Sequence, residues 1–135
     1  MRKITDHEHN PCNKALTIEV HDEPGQGGAC HKYSLEWRKQ NTGRGFRDPE
    51  TGAWHDACIL LFQNGPVNED GNGVNGITNE ALLAVVLDRL RGFQTGEYAC
   101  RENALAITKI EEAMHWLHSR TRQREARGVE GTHTV

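Results

Sequence analysis

The sequence is poor in the side chains that build large cores. Aromatics are 6% and all hydrophobic residues 36% of its 135 residues, enough for a modest core but not for a large catalytic cleft. Such a composition predicts that part of the apolar surface is covered only in an assembly of two or more copies. No positive excess is present. The formal net charge of -3 excludes a general grip on a nucleic-acid backbone, which depends on cationic neutralisation of phosphates. Any anion taken up is small and held locally. There is no apolar run of membrane-spanning length, and Met1-Arg2-Lys3-Ile4-Thr5-Asp6 is not followed by the hydrophobic stretch of an export signal, so a cytosolic protein away from membranes is expected.

Paired cysteines are also lacking. Cys12, Cys30, Cys58 and Cys100 are far apart with no C-x-x-C motif, which favours free thiols over disulfides or a zinc knuckle. His7, His9, Cys12, Cys30 and His31 have the chemistry of zinc ligands, but their spacing is not the tight repeated pattern of a structural zinc site. Pro11-Cys12 also lacks the second cysteine of the zinc deaminases.

What is present divides in two. Residues 1–64 read as a small antiparallel sheet region, and residues 65–135 as a Gly-rich linker and a helical hairpin, an α+β chain. Met1 to Lys14 is polar and aperiodic, a mobile arm or a flank of the sheet. Ala15 to His21 and His31 to Arg38 alternate apolar and polar residues as half-buried strands do, with Tyr33, Leu35 and Trp37 on one face. Glu23-Pro24-Gly25-Gln26-Gly27-Gly28 separates them as a turn. Asn41 to Glu50 reads as a loop and Ala53 to Gln63 as a third strand.

From Gly65 to Gly76 the composition shifts to Gly, Asn and acid. Gly73-Val74-Asn75-Gly76 is either a turn that needs positive φ or a nest of backbone N–H groups for an anion. Thr78 is then an N-cap and Glu80 a first-turn acid. Leu82, Val86, Leu90 and Phe93, with Leu83 and Leu87 beside them, form one apolar stripe. Gly92 and Gly96 close this helix. A second helix starts near Cys100, carries Ala104, Ile107, Ile110, Met114 and Leu117 inward, and stops at Gly128. Two such helices joined by a short turn pack antiparallel. The tail, Val129 to Val135, is loose or docks on a neighbour.

Some residues fall outside the packing pattern. Arg120 and Arg124 share a helix face, among four arginines with no lysine between Arg120 and Arg127. They are either a solvated end favoured by the helix dipole or forked donors for phosphate oxygens. Phe93 is either core or a base-stacking surface, and Asn103 has the carboxamide that pairs with a base edge or ribose hydroxyl. Arg101 points to another face than Asn103. Asn103 and Arg120 are 17 residues apart on one helix, roughly 25 Å at about 1.5 Å per residue. A single nucleotide-sized pocket using both therefore takes its two ends from two chains packed head to tail. Glu111, His115 and His118 have the chemistry of metal ligands or acid-base groups for a phosphodiesterase, but without an H-E-x-x-H pattern or a carboxylate cluster.

Phe62-Gln63-Asn64-Gly65-Pro66, then G-V-N-G, D-R-L, G-F-Q, A-C-R-E-N-A-L-A, E-E-A-M-H-W-L and R-G-V-E-G-T-H, in this order, resemble the helical hairpin shared by phage-encoded immune-evasion proteins. These are the first type of Thoeris anti-defence protein and the second type of anti-CBASS protein, and the region ahead of the hairpin is similar to the Thoeris type. The resemblance implies a sponge that sequesters a cyclised ADP-ribose or cyclic oligonucleotides in the host cytoplasm without cleaving them. It implies no catalytic residue, no metal and no cofactor, and assembly as a homodimer or hexamer. Carried over by motif, Phe93 stacks the adenine, Asn103 holds the polar edge, and Arg120 with Arg124 clamps the diphosphate or covers the base. Arg101 serves the cyclic-oligonucleotide pocket. Where relatives often read G-P-Y/F-A-C, this chain has Gly96-Glu97-Tyr98-Ala99-Cys100.

Overall fold

The structure, a computed structural model, describes residues 1–25, 27–37, 45–69 and 71–135. It is an α+β chain of two compact units, Met1–Gly65 and Pro66–Val135.

In the N-terminal unit, β1 (Arg2–Ile4), β2 (Thr17–Val20), β3 (Lys32–Glu36) and β6 (Ala57–Leu61) form an antiparallel sheet in the order β1-β2-β3-β6. A short helix, α1 (Pro11–Lys14), separates β1 from β2. The sheet has one strand more than the sequence pattern predicts, because the short polar run at the N-terminus pairs with the otherwise open edge of β2, Lys3 opposite Glu19 and Ile4 opposite Ile18. Three residues with two cations show no alternation to read. The register places Ile4, Ile18, Leu35 and Cys58 across one face, in line with the β3 face expected from the sequence. Val20, 1% exposed, is the centre of a small core with Cys30 and Ala57.

The expected third strand is divided. Trp54–His55 forms β5 of a separate hairpin with β4 (Phe46–Arg47), and only Ala57–Leu61 joins the sheet, as an edge. Asp48 makes the turn between β4 and β5: its carboxylate accepts from the Glu50 and Thr51 N–H groups, 2.8 and 3.3 Å, and Gly52 supplies the left-handed backbone (φ 74°) that turns the chain. These bonds outweigh partial desolvation and hold the Asp48 carboxyl below its ordinary titration range. Residues 41–44 of the expected loop lie outside the described residues, while the rest of it contains β4.

A second carboxylate pins the β2–β3 connection. Asp22 accepts from the N–H groups of His31 (2.9 Å) and Lys32 (3.2 Å) and lies 3.5 Å from the His31 ring. Desolvation opposes its charge, but these bonds prevail and its pKa is lowered. All four cysteines are free.

The second unit holds α2 (Asn79–Gln94) and α3 (Arg101–Ala126). Thr78 caps α2 by accepting from the Ala81 N–H at 3.1 Å. The cysteine at the start of α3 does the same with sulfur, Cys100 Sγ accepting from the Asn103 N–H at 3.4 Å. Gly128 ends α3 in the left-handed conformation (φ 72°). Its N–H bonds to the Glu125 carbonyl and that of Val129 to the Arg124 carbonyl, the paired closure of a Schellman motif.

Two expectations for α2 are corrected. Gly92 lies inside the helix rather than ending it; neither it nor Gly96 has positive φ, and Thr95 caps instead, its hydroxyl donating to the Gly92 carbonyl at 2.7 Å. The packing stripe is also rotated. Leu87 is the buried position, flanked one turn away by half-buried Leu83 and Leu90, whereas Val86 and Phe93 are 42% and 37% exposed. A run with leucines on adjacent angular positions satisfies either stripe, so periodicity alone did not choose between them.

Candidate functional site

The six-residue α2–α3 turn is built around one side chain. Gln94 accepts from the Cys100 N–H (3.0 Å) and donates to the Cys100 carbonyl (3.1 Å), satisfying both backbone groups of the residue that starts α3. Two exposed charges also join the helices, Arg91 and Glu111 at 3.0 Å.

This turn gathers three of the candidate residues at one end of the hairpin. Phe93 lies in the last turn of α2 with its ring accessible, and the Arg89 guanidinium carbon stands 4.9 Å from the ring centroid. A flat aromatic face with a cation over it is a stacking surface suited to an electron-rich ring. Asn103 is half-buried in the first turn of α3, its amide 3.5 Å from the Tyr98 carbonyl. Arg101 is exposed at the first position of α3. Nearby Tyr98 is 72% exposed.

Arg120 and Arg124 lie at the opposite end of α3, so the structure does not bring them to Phe93 and Asn103 within one chain. The two arginines also differ from each other. Arg120 is exposed. The Arg124 side chain is only 12% exposed and is surrounded by the tail: it donates to Glu130 Oε2 (3.2 Å) and to the carbonyls of Val129 (2.9 Å), Thr132 (3.1 Å) and Thr134 (2.6 Å). The tail is therefore ordered by its own chain. Arg127 adds a bond to the Val135 carbonyl at 2.7 Å.

Asn68 and Glu69 also reach the tail, and the sequence alone gave no sign of it. The Asn68 N–H donates to the Gly131 carbonyl at 2.9 Å and its side chain to the Glu130 carbonyl at 3.3 Å, while Glu69 accepts from the His133 N–H at 2.9 Å. Polar contacts to backbone atoms 62 to 64 residues away leave no periodic trace. In the same loop Gly71 and Gly73 take positive φ, the conformation that the turn reading of this stretch requires.

The remaining polar cluster is an open groove of about 500 Å³ lined by His115, His118, Thr121, Arg122 and Glu125. All five come from α3, so the groove has one wall. Glu111, the acid that would have to work with these histidines, is engaged by Arg91 instead. Among the described residues no helix is long and apolar enough to cross a membrane.

Residues 59–122 match the family model for the Acb2/Tad1 hairpin domain. This segment is similar to the Acb2/Tad1 hairpin. The match runs from β6 through α2 to Arg122 and so includes Phe93, Arg101, Asn103 and Arg120, while Arg124 and the tail follow it. The hairpin is accompanied by a close likeness to one curated protein, Thoeris anti-defense 1 of Bacillus phage SBSphiJ7, at 61% identity over 76 residues. That alignment takes in 56% of this chain and 52% of the relative. The chain thus spans about half the length of the curated relative it matches.

Proposed function

We propose that this chain is a phage immune-evasion protein that binds host signalling nucleotides and sequesters them uncleaved in the host cytoplasm. The observation that carries the reading is the 61% identity to a Thoeris anti-defence protein in a chain whose hairpin leaves an aromatic face and the exposed Arg101 and Arg120 toward its ends. The ligands proposed are glycocyclic ADP-ribose and, at a separate pocket, cyclic oligonucleotides.

The roles are those the resemblance implies, and the side-chain chemistry is compatible with them. Phe93 offers the face on which an adenine stacks, with Arg89 already in place as the cation of that stack. Asn103 supplies both a donor and an acceptor to a base or ribose edge. Arg120 supplies parallel donors for a diphosphate, and Arg101 serves the oligonucleotide pocket. Because Asn103 and Arg120 stand roughly 25 Å apart along α3, the site is completed by a second copy packed head to tail, as a homodimer or within a hexamer. Val85, Val86, Leu105 and Trp116 remain exposed on the hairpin, apolar side chains that a second copy would cover.

Incubation of excess protein with cyclic ADP-ribose isomers, followed by heat denaturation and assay of the supernatant, tests the reading. Release of intact nucleotide after complete uptake supports sequestration. Degraded nucleotide indicates a hydrolase, and no uptake indicates an oligomerisation module without a ligand.

A further inference from the structure

Arg89 is an exposed arginine with no acidic partner. The residues one turn either way from it on α2 are Val85, Val86, Gly92 and Phe93, so no carboxylate stands at the i,i+3 or i,i+4 spacing that pairs side chains along a helix. Two residues on, Arg91 is paired across the hairpin with Glu111. Among the described residues the Arg89 guanidinium makes neither a hydrogen bond nor an ion pair. It rests instead on an aromatic ring, its carbon 4.9 Å from the Phe93 centroid, inside the roughly 6 Å over which the negative face of a π-system holds a cation.

A ring has two faces, and the guanidinium covers one of them. A base that stacks while Arg89 stays in place therefore takes the other. The cation draws π-density toward itself, which suits the far face to an electron-rich purine and restrains the ring in one orientation. Room beside the ring is kept by Gly92, where a Cβ would meet nothing within 4 Å.

We infer that Arg89 is a positioning residue of the base-stacking site: it stays on one face of Phe93 when ligand binds, and the purine closes a cation–ring–base sandwich from the opposite face. Arg89 acts through the ring and not by touching the ligand. This rests on the nucleotide-binding reading above and adds to it which face the base takes and that the free protein already holds the other half of the stack.

Calorimetric titration of cyclic ADP-ribose into the full-length wild type, Arg89→Lys, Arg89→Met, Phe93→Leu and the Arg89→Met/Phe93→Leu double variant tests the assignment. Arg89→Met keeps apolar length without charge and is expected to weaken binding about five-fold. Arg89→Lys keeps a cation over the ring and is expected to stay within about two-fold of wild type. Once Phe93 is leucine, Arg89→Met is expected to have no further effect. An equal loss in both backgrounds shows direct contact with the ligand and overturns the proposal. Unchanged or tighter binding by Arg89→Met overturns it too, the second outcome marking Arg89 as a plug that the base must displace.

Nuclear magnetic resonance supplies a reading independent of affinity. The Phe93 ring current is expected to shift the Arg89 side-chain resonances upfield in the free protein, to lose that effect in Phe93→Leu, and to keep it when cyclic ADP-ribose is bound. No shift in the free protein, or its loss on binding, overturns the sandwich. If the wild type takes up no nucleotide, the sequestration reading fails and this role fails with it; if the wild type binds and Arg89→Met binds equally well, this assignment alone fails.

Discussion

Gln94 and Cys100 exchange two hydrogen bonds across the α2–α3 turn, side-chain amide against backbone peptide, at 3.0 and 3.1 Å. A side chain thus does what a paired strand would do, and the turn carries Phe93 on one side and Asn103 on the other. Gln94→Ala leaves both Cys100 groups to solvent and is expected to cost about 1–2 kcal/mol of hairpin stability, read as a lower thermal midpoint. It is also expected to weaken nucleotide binding, since the stacking face and the carboxamide lose their fixed spacing. A variant with unchanged midpoint and affinity would show that the turn is held by other means.

Phe93→Ala and Arg120→Ala should each weaken cyclic ADP-ribose binding while leaving assembly intact. Loss of the stack is expected to cost about 1–3 kcal/mol, and loss of a desolvated phosphate contact about 1.5–3 kcal/mol. Arg101→Ala should instead impair uptake of a cyclic trinucleotide. Calorimetry with both ligand classes on the three variants checks the assignment, and equal losses for both ligands in every variant contradict separate pockets.

Gly92 inside α2 and Gly128 after α3 predict opposite signs. Gly92 is helical, and a Cβ there meets nothing within 4 Å, so Gly92→Ala should stabilise by about 0.5–1 kcal/mol. Gly128 is left-handed, so Gly128→Ala should destabilise by about 1–2 kcal/mol. Chemical denaturation of both variants measures this. If Gly92→Ala proves as damaging as Gly128→Ala, α2 ends earlier than Gln94.

The Asp22 clasp gives the N-terminal sheet a defined acid dependence. Its folded pKa is lowered, so the unfolded chain takes up the proton first. The stabilisation is fully present above the unfolded carboxylate value of about 3.9 and is lost as pH falls through the folded value. Denaturation of wild type and Asp22→Asn from about pH 6 to about pH 3 should show the wild-type advantage shrinking toward acid. A constant difference over that range would place the effect in packing rather than charge.

These cases also show how much could be read from the residues. Local chemistry was legible where one residue type has one use: Thr78 before an amphipathic run, Gly128 after one, alternation around Tyr33 and Leu35. The packing face of α2 was not, because Leu82, Leu83, Val86, Leu87 and Leu90 satisfy two neighbouring stripes and only the partner helix selects between them. Arg124 and Arg120 look alike in sequence and differ in structure because a tail with no periodicity closes over one of them. Asn68 and Glu69 were invisible for the same reason: bonds to carbonyl and N–H groups carry no side-chain signature in the partner.

The central claim is that one pocket draws Phe93 and Asn103 from one copy and Arg120 from another. The most direct measurement is a mixing experiment in which Phe93→Ala and Arg120→Ala chains are co-expressed and their cyclic ADP-ribose sites counted by calorimetry. Each variant alone is expected to bind poorly. In the mixture a site is intact when its stacking chain and its arginine chain are both unaltered in the relevant residue, which random pairing yields for about a quarter of sites. Recovery of that fraction at wild-type affinity is the predicted result. No recovery, with subunit exchange confirmed, would mean that the pocket lies within a single chain.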